Sequence, residues 1–328
     1  MRVIVSPARP PKLLVWPGKL TTTPIQYHPP IENMAPARPR IQLYHQTLHF
    51  PSTGKPVSLL PLVSKVPPHI HPHLVLAIGA IHLNNLPAPH LTVNDTLATD
   101  PCHITLLTEL PYLRNAGITI TAMLGGAAQG TFARLDLGQK DWNIYYKLLS
   151  DFLHAWHFDG VDLDVEEDMT LSGMVRLIWQ LRADFGPDFV ITQAPVAAAL
   201  QGRPHLSGFN YDALEAAISN ELEWYNAQFY CGWGSFADGG RSVGEILGRG
   251  WDPSKVVVGV LTNPQNGDGY VELDGVMAGL KGWGERGIGG VAAWEIFNAL
   301  PGGEDPEAWW EWVQHVAESL GISEELPR

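Results

Sequence analysis

The chain has 328 residues and carries 21 Lys and Arg against 34 Asp and Glu, a net charge of −13 at pH 7. With no basic cluster on a predicted helix, this balance excludes a protein built to grip nucleic acid or an anionic membrane, and leaves a neutral polymer such as a glycan as a compatible partner. No run approaches the roughly 20 apolar residues of a membrane span. The cysteines, Cys102 and Cys231, fall in unrelated segments and are expected to be free thiols, with no disulfide framework and no zinc site.

Residues 1–39 are rich in proline and lack periodicity, so an irregular N-terminal extension is expected there. Pro7, Pro10 and Pro11 break up the apolar pieces before Trp16, and the zones of a secretory signal are missing, which predicts a cytoplasmic location. Met34-Ala35-Pro36 offers a start for a shorter product.

From Arg40 onward, β-like runs recur at 41–46, 74–83, 118–124, 160–166, 189–193, 223–230, 256–262 and 288–295. Between the third and fourth, Trp142, Tyr145, Tyr146, Leu149, Phe152, Leu153 and Trp156 recur at steps of three and four, the pattern of an amphipathic helix. Met174, Leu177, Ile178, Leu181 and Phe185 repeat it after the fourth, and Gly186-Pro187 stops it. A last helix is expected from about Asp305 to Leu320, with Trp309, Trp310, Trp312 and Val313 closing the core. Eight strands with interposed helices predict the α/β class and a single (β/α)8 barrel over residues 40–328, with its site at the C-terminal ends of the strands.

One run decides the chemistry. In His157-Phe158-Asp159-Gly160-Val161-Asp162-Leu163-Asp164-Val165-Glu166, strand alternation points Asp162, Asp164 and Glu166 to one face and Leu163 and Val165 to the other. Like charges a few Å apart cannot all ionise cheaply, so part of this ladder should hold protons near neutral pH, as a general acid requires. A divalent-metal site or a solvated acidic edge strand is the alternative. A calcium loop, however, needs oxygen ligands in a turn bent at a glycine, which alternating Val and Leu do not supply.

The pattern Asp159-x-x-Asp162-x-Asp164-x-Glu166 resembles the active-site signature of glycoside hydrolase family 18, the chitinases and endo-β-N-acetylglucosaminidases. Asn226-Ala227-Gln228-Phe229-Tyr230 is similar to the sixth strand of plant-type members, and Trp294 stands where the family carries a Trp at the end of the eighth strand beneath the sugar. Thr192-Gln193-Ala194-Pro195 and Tyr44-His45-Gln46 resemble the ends of the fifth and first strands. The run Met123-Leu124-Gly125-Gly126 departs from the family's Ser-x-Gly-Gly, which puts in doubt a hydrogen bond to the first buried aspartate. The Gly125-Gly126 run and Glu166-Glu167 look closest to fungal endo-β-N-acetylglucosaminidase-type members.

The resemblance implies substrate-assisted, retaining hydrolysis of the β-1,4 bond after an N-acetylglucosamine unit. Glu166 would be the acid and then the base, Asp164 would hold the substrate's acetamido N–H with Asp162 behind it, and Tyr230 would orient the acetamido oxygen. Trp294, Gln228, Asn226, Gln193, Tyr44, Gly125 and Gly126 would hold the sugar. Read alone, a strand-end Trp is as well a core residue, and Glu167 is a solvated loop acid or a substrate selector. No cofactor and no metal is implied. The expected partner is a glycan containing N-acetylglucosamine, cut by a monomer: the chitobiose core of N-glycans first, chitin or its oligomers as the alternative, with an inactive glycan-binding lectin as a second. The loops at 127–137, 232–241 and 263–270 are the places where these substrates would be told apart.

Overall fold

Val, Ile, Leu and Ala fill the short runs that become strands, and their burial on both faces is what a parallel barrel wrapped by helices demands. A computed structural model describes residues 39–324 except 219–220, 238–239, 304 and 306–307, so the expected extension up to residue 38, with its Met34 start, lies outside the described residues. The strands are β1 (Arg40–His45), β2 (Leu74–Asn84), β3 (His90–Val93), β4 (Thr96–Leu97), β5 (Thr119–Gly125), β6 (Gly160–Asp164), β7 (Val190–Gln193), β8 (Tyr225–Gln228), β9 (Val256–Leu261) and β10 (Gly290–Trp294). Eight of them, β1, β2 and β5 to β10, pair in parallel, and β1 bonds to both β2 and β10 to close the barrel. The expected (β/α)8 architecture is the one observed.

Two layers of side chains follow from the alternation. Residues such as Leu43, Leu76, Leu124, Leu163 and Val291 pack outward beneath the helices. A smaller inner cluster contains Tyr44, Ala77, Met123, Ala194 and Ala292, and its short side chains leave room inside the barrel for polar groups. The helix Gln139–Ala155 buries Trp142, Tyr145, Tyr146, Leu149, Phe152 and Leu153, the stripe its spacing predicts. Leu171–Phe185 starts at Thr170, whose hydroxyl accepts from Gly173 N, and ends at Gly186. No helix among the described residues is long and apolar enough to cross a membrane.

Several expected boundaries shift. The fourth barrel strand stops at Asp164 rather than Glu166, because β5 pairs only as far as Gly125 and β7 as far as Gln193, leaving Val165 and Glu166 without ladder partners. The runs 223–230 and 288–295 likewise shrink to Tyr225–Gln228 and Gly290–Trp294. The last helix is Glu311–Ser319; it buries Trp312, Val313, Val316 and Ala317, and Trp309 just ahead of it is also buried. The hairpin β3–β4 was not anticipated. It leaves an overlong β2 at an irregularity between Ile78 and Ile81, where Gly79 has φ +64° and a Cβ would lie 2.7 Å from Val93 Cγ1. Only glycine suits both demands. Asn94 fixes the hairpin's turn, accepting Ala80 N–H on Oδ1 and donating to the Gln46 carbonyl at 2.9 Å in each case.

Candidate active site

The acidic run enters the barrel as a column. Asp162 is fully buried and Asp164 is 3% exposed, both on the inner face of β6. Glu166 lies two residues beyond the strand, keeps the same parity and lines a cavity of about 420 Å³ at the C-terminal mouth. Asp159 stays at the other end of β6, where it accepts Ile120 N–H at 2.9 Å and faces Arg114 Nε at 3.7 Å.

Asp162 is held by three donors from three strands. Tyr44 Oη donates to Oδ2 at 2.6 Å, while Thr192 Oγ1 at 2.5 Å and Asn226 Nδ2 at 3.0 Å donate to Oδ1. Met123, in register with Asp162 on β5, offers no hydrogen bond, so these donors do the work expected of the missing serine. Burial raises the Asp162 pKa, and the same hydrogen bonds oppose the rise.

Asp164 and Glu166 share one amide. Gln228 Nε2 donates to Asp164 Oδ1 at 3.0 Å and to Glu166 Oε1 at 3.3 Å, and it is anchored on the Ala194 carbonyl at 2.9 Å. Burial pushes the Asp164 carboxyl well above its usual range, with added repulsion from Glu166 and Asp162; burial also raises Glu166, and the Gln228 bond opposes that rise. Two carboxyls in this state retain a proton at pH values where free ones have lost it. The phenol of Tyr230, buried against the same acids, is likewise raised and stays neutral.

The cavity walls bring together most of the anticipated residues. Trp294 forms one side, its indole 5.5 Å from the Tyr44 ring, and Tyr230 and Gln228 line the cavity with the Gly125-Gly126 pair. A Cβ on Gly125, whose φ is +95°, would strike the Phe132 ring and the Asp164 carbonyl, so a side chain is excluded there. Tyr44 and Asn226 do not line the cavity; they sit behind it on Asp162. Gln193 is fully buried but pairs with outward-facing Leu163, away from the cavity, and its neighbour Thr192 is the residue of β7 that reaches the acids. Glu167 is neither a solvated acid nor a wall of the cavity. It is 8% exposed and accepts the amides of Gly130 and Phe132.

No protein-family model matches the chain. Among solved structures, a fungal endo-β-N-acetylglucosaminidase of glycosyl hydrolase family 18 is 38% identical, with a TM-score of 0.79 over 87% of this chain and 98% of that one. The chain belongs to glycosyl hydrolase family 18. The chitinase ChiC of Aspergillus fumigatus is 42% identical, with a TM-score of 0.76 over 86% of this family 18 chain and 99% of its own. Endochitinase 4 of Metarhizium anisopliae is 28% identical over 141 residues, 38% of this chain; the match spans about half of that curated relative, 49%.

Several residues of this family 18 cavity escaped the sequence reading. Gln46, His82, Asn94, Asp95, Trp233 and Asn266 all line it. Gln46 shares the parity of Tyr44 two residues on, a signal that alternation carries. Asn94-Asp95 marks a turn between two β-like runs, which would have exposed the hairpin. Trp233 and Asn266, with Ala127 and Ala128, come from the three loops expected to tell substrates apart.

Proposed function

We propose that this family 18 chain hydrolyses the β-1,4 bond after an N-acetylglucosamine unit with retention, using the substrate's own acetamido group. The observation that carries this reading is the pairing of Asp164 and Glu166 through Gln228 beside the Trp294 indole. With the sugar against Trp294, Glu166 donates its proton to the departing glycosidic oxygen. The acetamido carbonyl oxygen attacks the anomeric carbon as the glycosidic bond breaks and gives an oxazolinium ion; water then attacks the same carbon, the Glu166 carboxylate takes its proton, and the acetamido group is released with the configuration retained. Asp164 accepts the acetamido N–H and stabilises the developing positive charge, Asp162 supports it from below, and the Tyr230 hydroxyl orients the acetamido oxygen. An N–H presented to Asp164 favours its carboxylate form, so the retained proton is left to Glu166 when substrate is bound.

The substrate we favour is the chitobiose core of an N-glycan. Past His82, Asn94 and Asp95 the cavity adjoins a mostly polar groove lined by Asn85, His90 and the paired Asn84 and Thr92, whose side chains bond at 3.1 Å, with Leu83 and the exposed Leu86 beside them. Hydrogen-bonding tips of this kind suit a hydroxyl-rich, branched mannose arm better than a linear stack of N-acetylglucosamine rings. Chitin is the second reading, favoured by the 42% identity to a chitinase. Mass spectrometry of a high-mannose glycopeptide and of a chitin hexamer, incubated separately with the protein, decides between them. A peptide left with one N-acetylglucosamine and an intact hexamer upholds the first reading, a shortened hexamer with an intact glycopeptide upholds the second, and no cleavage of either sinks both.

A further inference from the structure

Glu167 follows Glu166 in the chain, yet its side chain runs the other way, under the loop after β5. Its Oε2 accepts Gly130 N–H at 2.7 Å and its Oε1 accepts Phe132 N–H at 2.7 Å. Both amides lie at the start of the helix Thr131–Leu135, where N–H groups have no partner within the helix. A buried carboxylate taking one amide on each oxygen forms two charge-assisted bonds and fixes the spacing of both donors.

The contacts beyond these two amides close a ring. The Phe132 ring, 1% exposed, occupies the space a side chain on Gly125 would need. Gly126 N–H donates to the Asp164 carbonyl at 2.9 Å. Asp164, Val165, Glu166 and Glu167 are consecutive, so the path returns to its start. Ala127 and Ala128, within the clamped segment, line the cavity beside Glu166. With β6 ended at Asp164, no ladder bond places Glu166: Ser207 Oγ holds the Val165 carbonyl at 2.8 Å on one side of it, the Gln228 amide reaches its own Oε1 at 3.3 Å, and on the other side Glu167 is clamped through both carboxyl oxygens.

We propose that Glu167 is a positioning residue, which sets Glu166 against the glycine floor of the cavity by clamping the segment 125–132. The proposal rests on Glu166 being the general acid. It assigns Glu167 no contact with substrate and no proton transfer.

The test compares wild type with Glu167→Ala and Glu167→Gln. Glutamine preserves the shape but turns an NH2 group toward one of the two amides, so donor faces donor. If the alanine variant does not fold, the glutamine variant carries the comparison. On the substrate that wild type cuts, at a temperature where near-UV circular dichroism reports each variant folded, kcat should fall about 10- to 100-fold, the scale of a misplaced catalytic group. In a Glu166→Gln background, the Kd for the uncut glycan should barely move, while the amides of Gly130 and Phe132 lose protection from hydrogen exchange. A folded variant with wild-type kcat overturns the proposal, as does a loss that resides entirely in Kd. Should wild type cut neither substrate, the functional reading fails by itself and exchange still decides the clamp: protection lost across residues 125–132 upholds it, and unchanged protection overturns it.

Discussion

Tyr44 reaches from β1 to Asp162 on β6, a strand that is not its neighbour in the barrel, and donates a 2.6 Å hydrogen bond. The bond ties the barrel's interior to the base of the acidic column. Tyr44→Phe keeps the ring that packs on Trp294 and removes only the donor. The variant should lose about 1–3 kcal/mol of stability, the cost of a buried acceptor deprived of a partner, read from urea unfolding at neutral pH. An unshifted midpoint would mean that Thr192 and Asn226 suffice.

Glu166→Gln retains the shape of the site and the Gln228 contact but has no proton to give. Turnover should fall by about 10²- to 10⁴-fold, the usual contribution of general acid catalysis, with glycan affinity by calorimetry preserved. Wild-type rates would remove Glu166 from its role.

The pH profile follows from the direction of the Glu166 shift. The acid works only while protonated, so kcat should decline as pH rises through its raised pKa. Gln228 stabilises the carboxylate form and thereby lowers that pKa. Gln228→Ala should therefore move the alkaline limb to higher pH, besides reducing the rate. A limb that stays or moves down in a pH–kcat series contradicts the assignment.

Asp164 should oppose folding at neutral pH. Its folded pKa lies above its unfolded value, so its favourable contribution is complete below about pH 4, the unfolded value, and is lost as pH rises through the folded pKa. Asp164→Asn escapes that loss. Its Tm should exceed that of wild type at pH 7–8, with the advantage shrinking toward pH 4; a constant difference across scans would argue that Asp164 carries no shifted pKa.

Trp294→Ala removes the indole from the cavity wall. If the sugar stacks there, affinity for the uncut glycan in the Glu166→Gln background should weaken about tenfold or more, as loss of a large buried apolar contact implies. Unaltered affinity would return Trp294 to the role of a core residue packed on Tyr44.

Alternation made the barrel and much of the column legible, because strand parity is set by backbone geometry and survives any neighbour. Asp162, Asp164, Gln228, Tyr230 and Trp294 all face the way that rule predicts, and Glu166 does so even two residues past its strand. Gln193 shows the limit: the likeness of its strand end pointed inward, while pairing with Leu163 turns it outward. Glu167 was illegible for a different reason, since the amides it accepts lie 37 and 35 positions earlier in the chain. The hairpin went unread because its strands are four and two residues long, too short for periodicity to register.

The four acids of the signature are spread along one strand, from Asp159 just before it to Glu166 two residues past it. Asp159 holds the Ile120 amide at the foot, far from the mouth that Glu166 occupies. Anchoring the scaffold and lining the cavity are thus separate tasks carried by one short run of sequence.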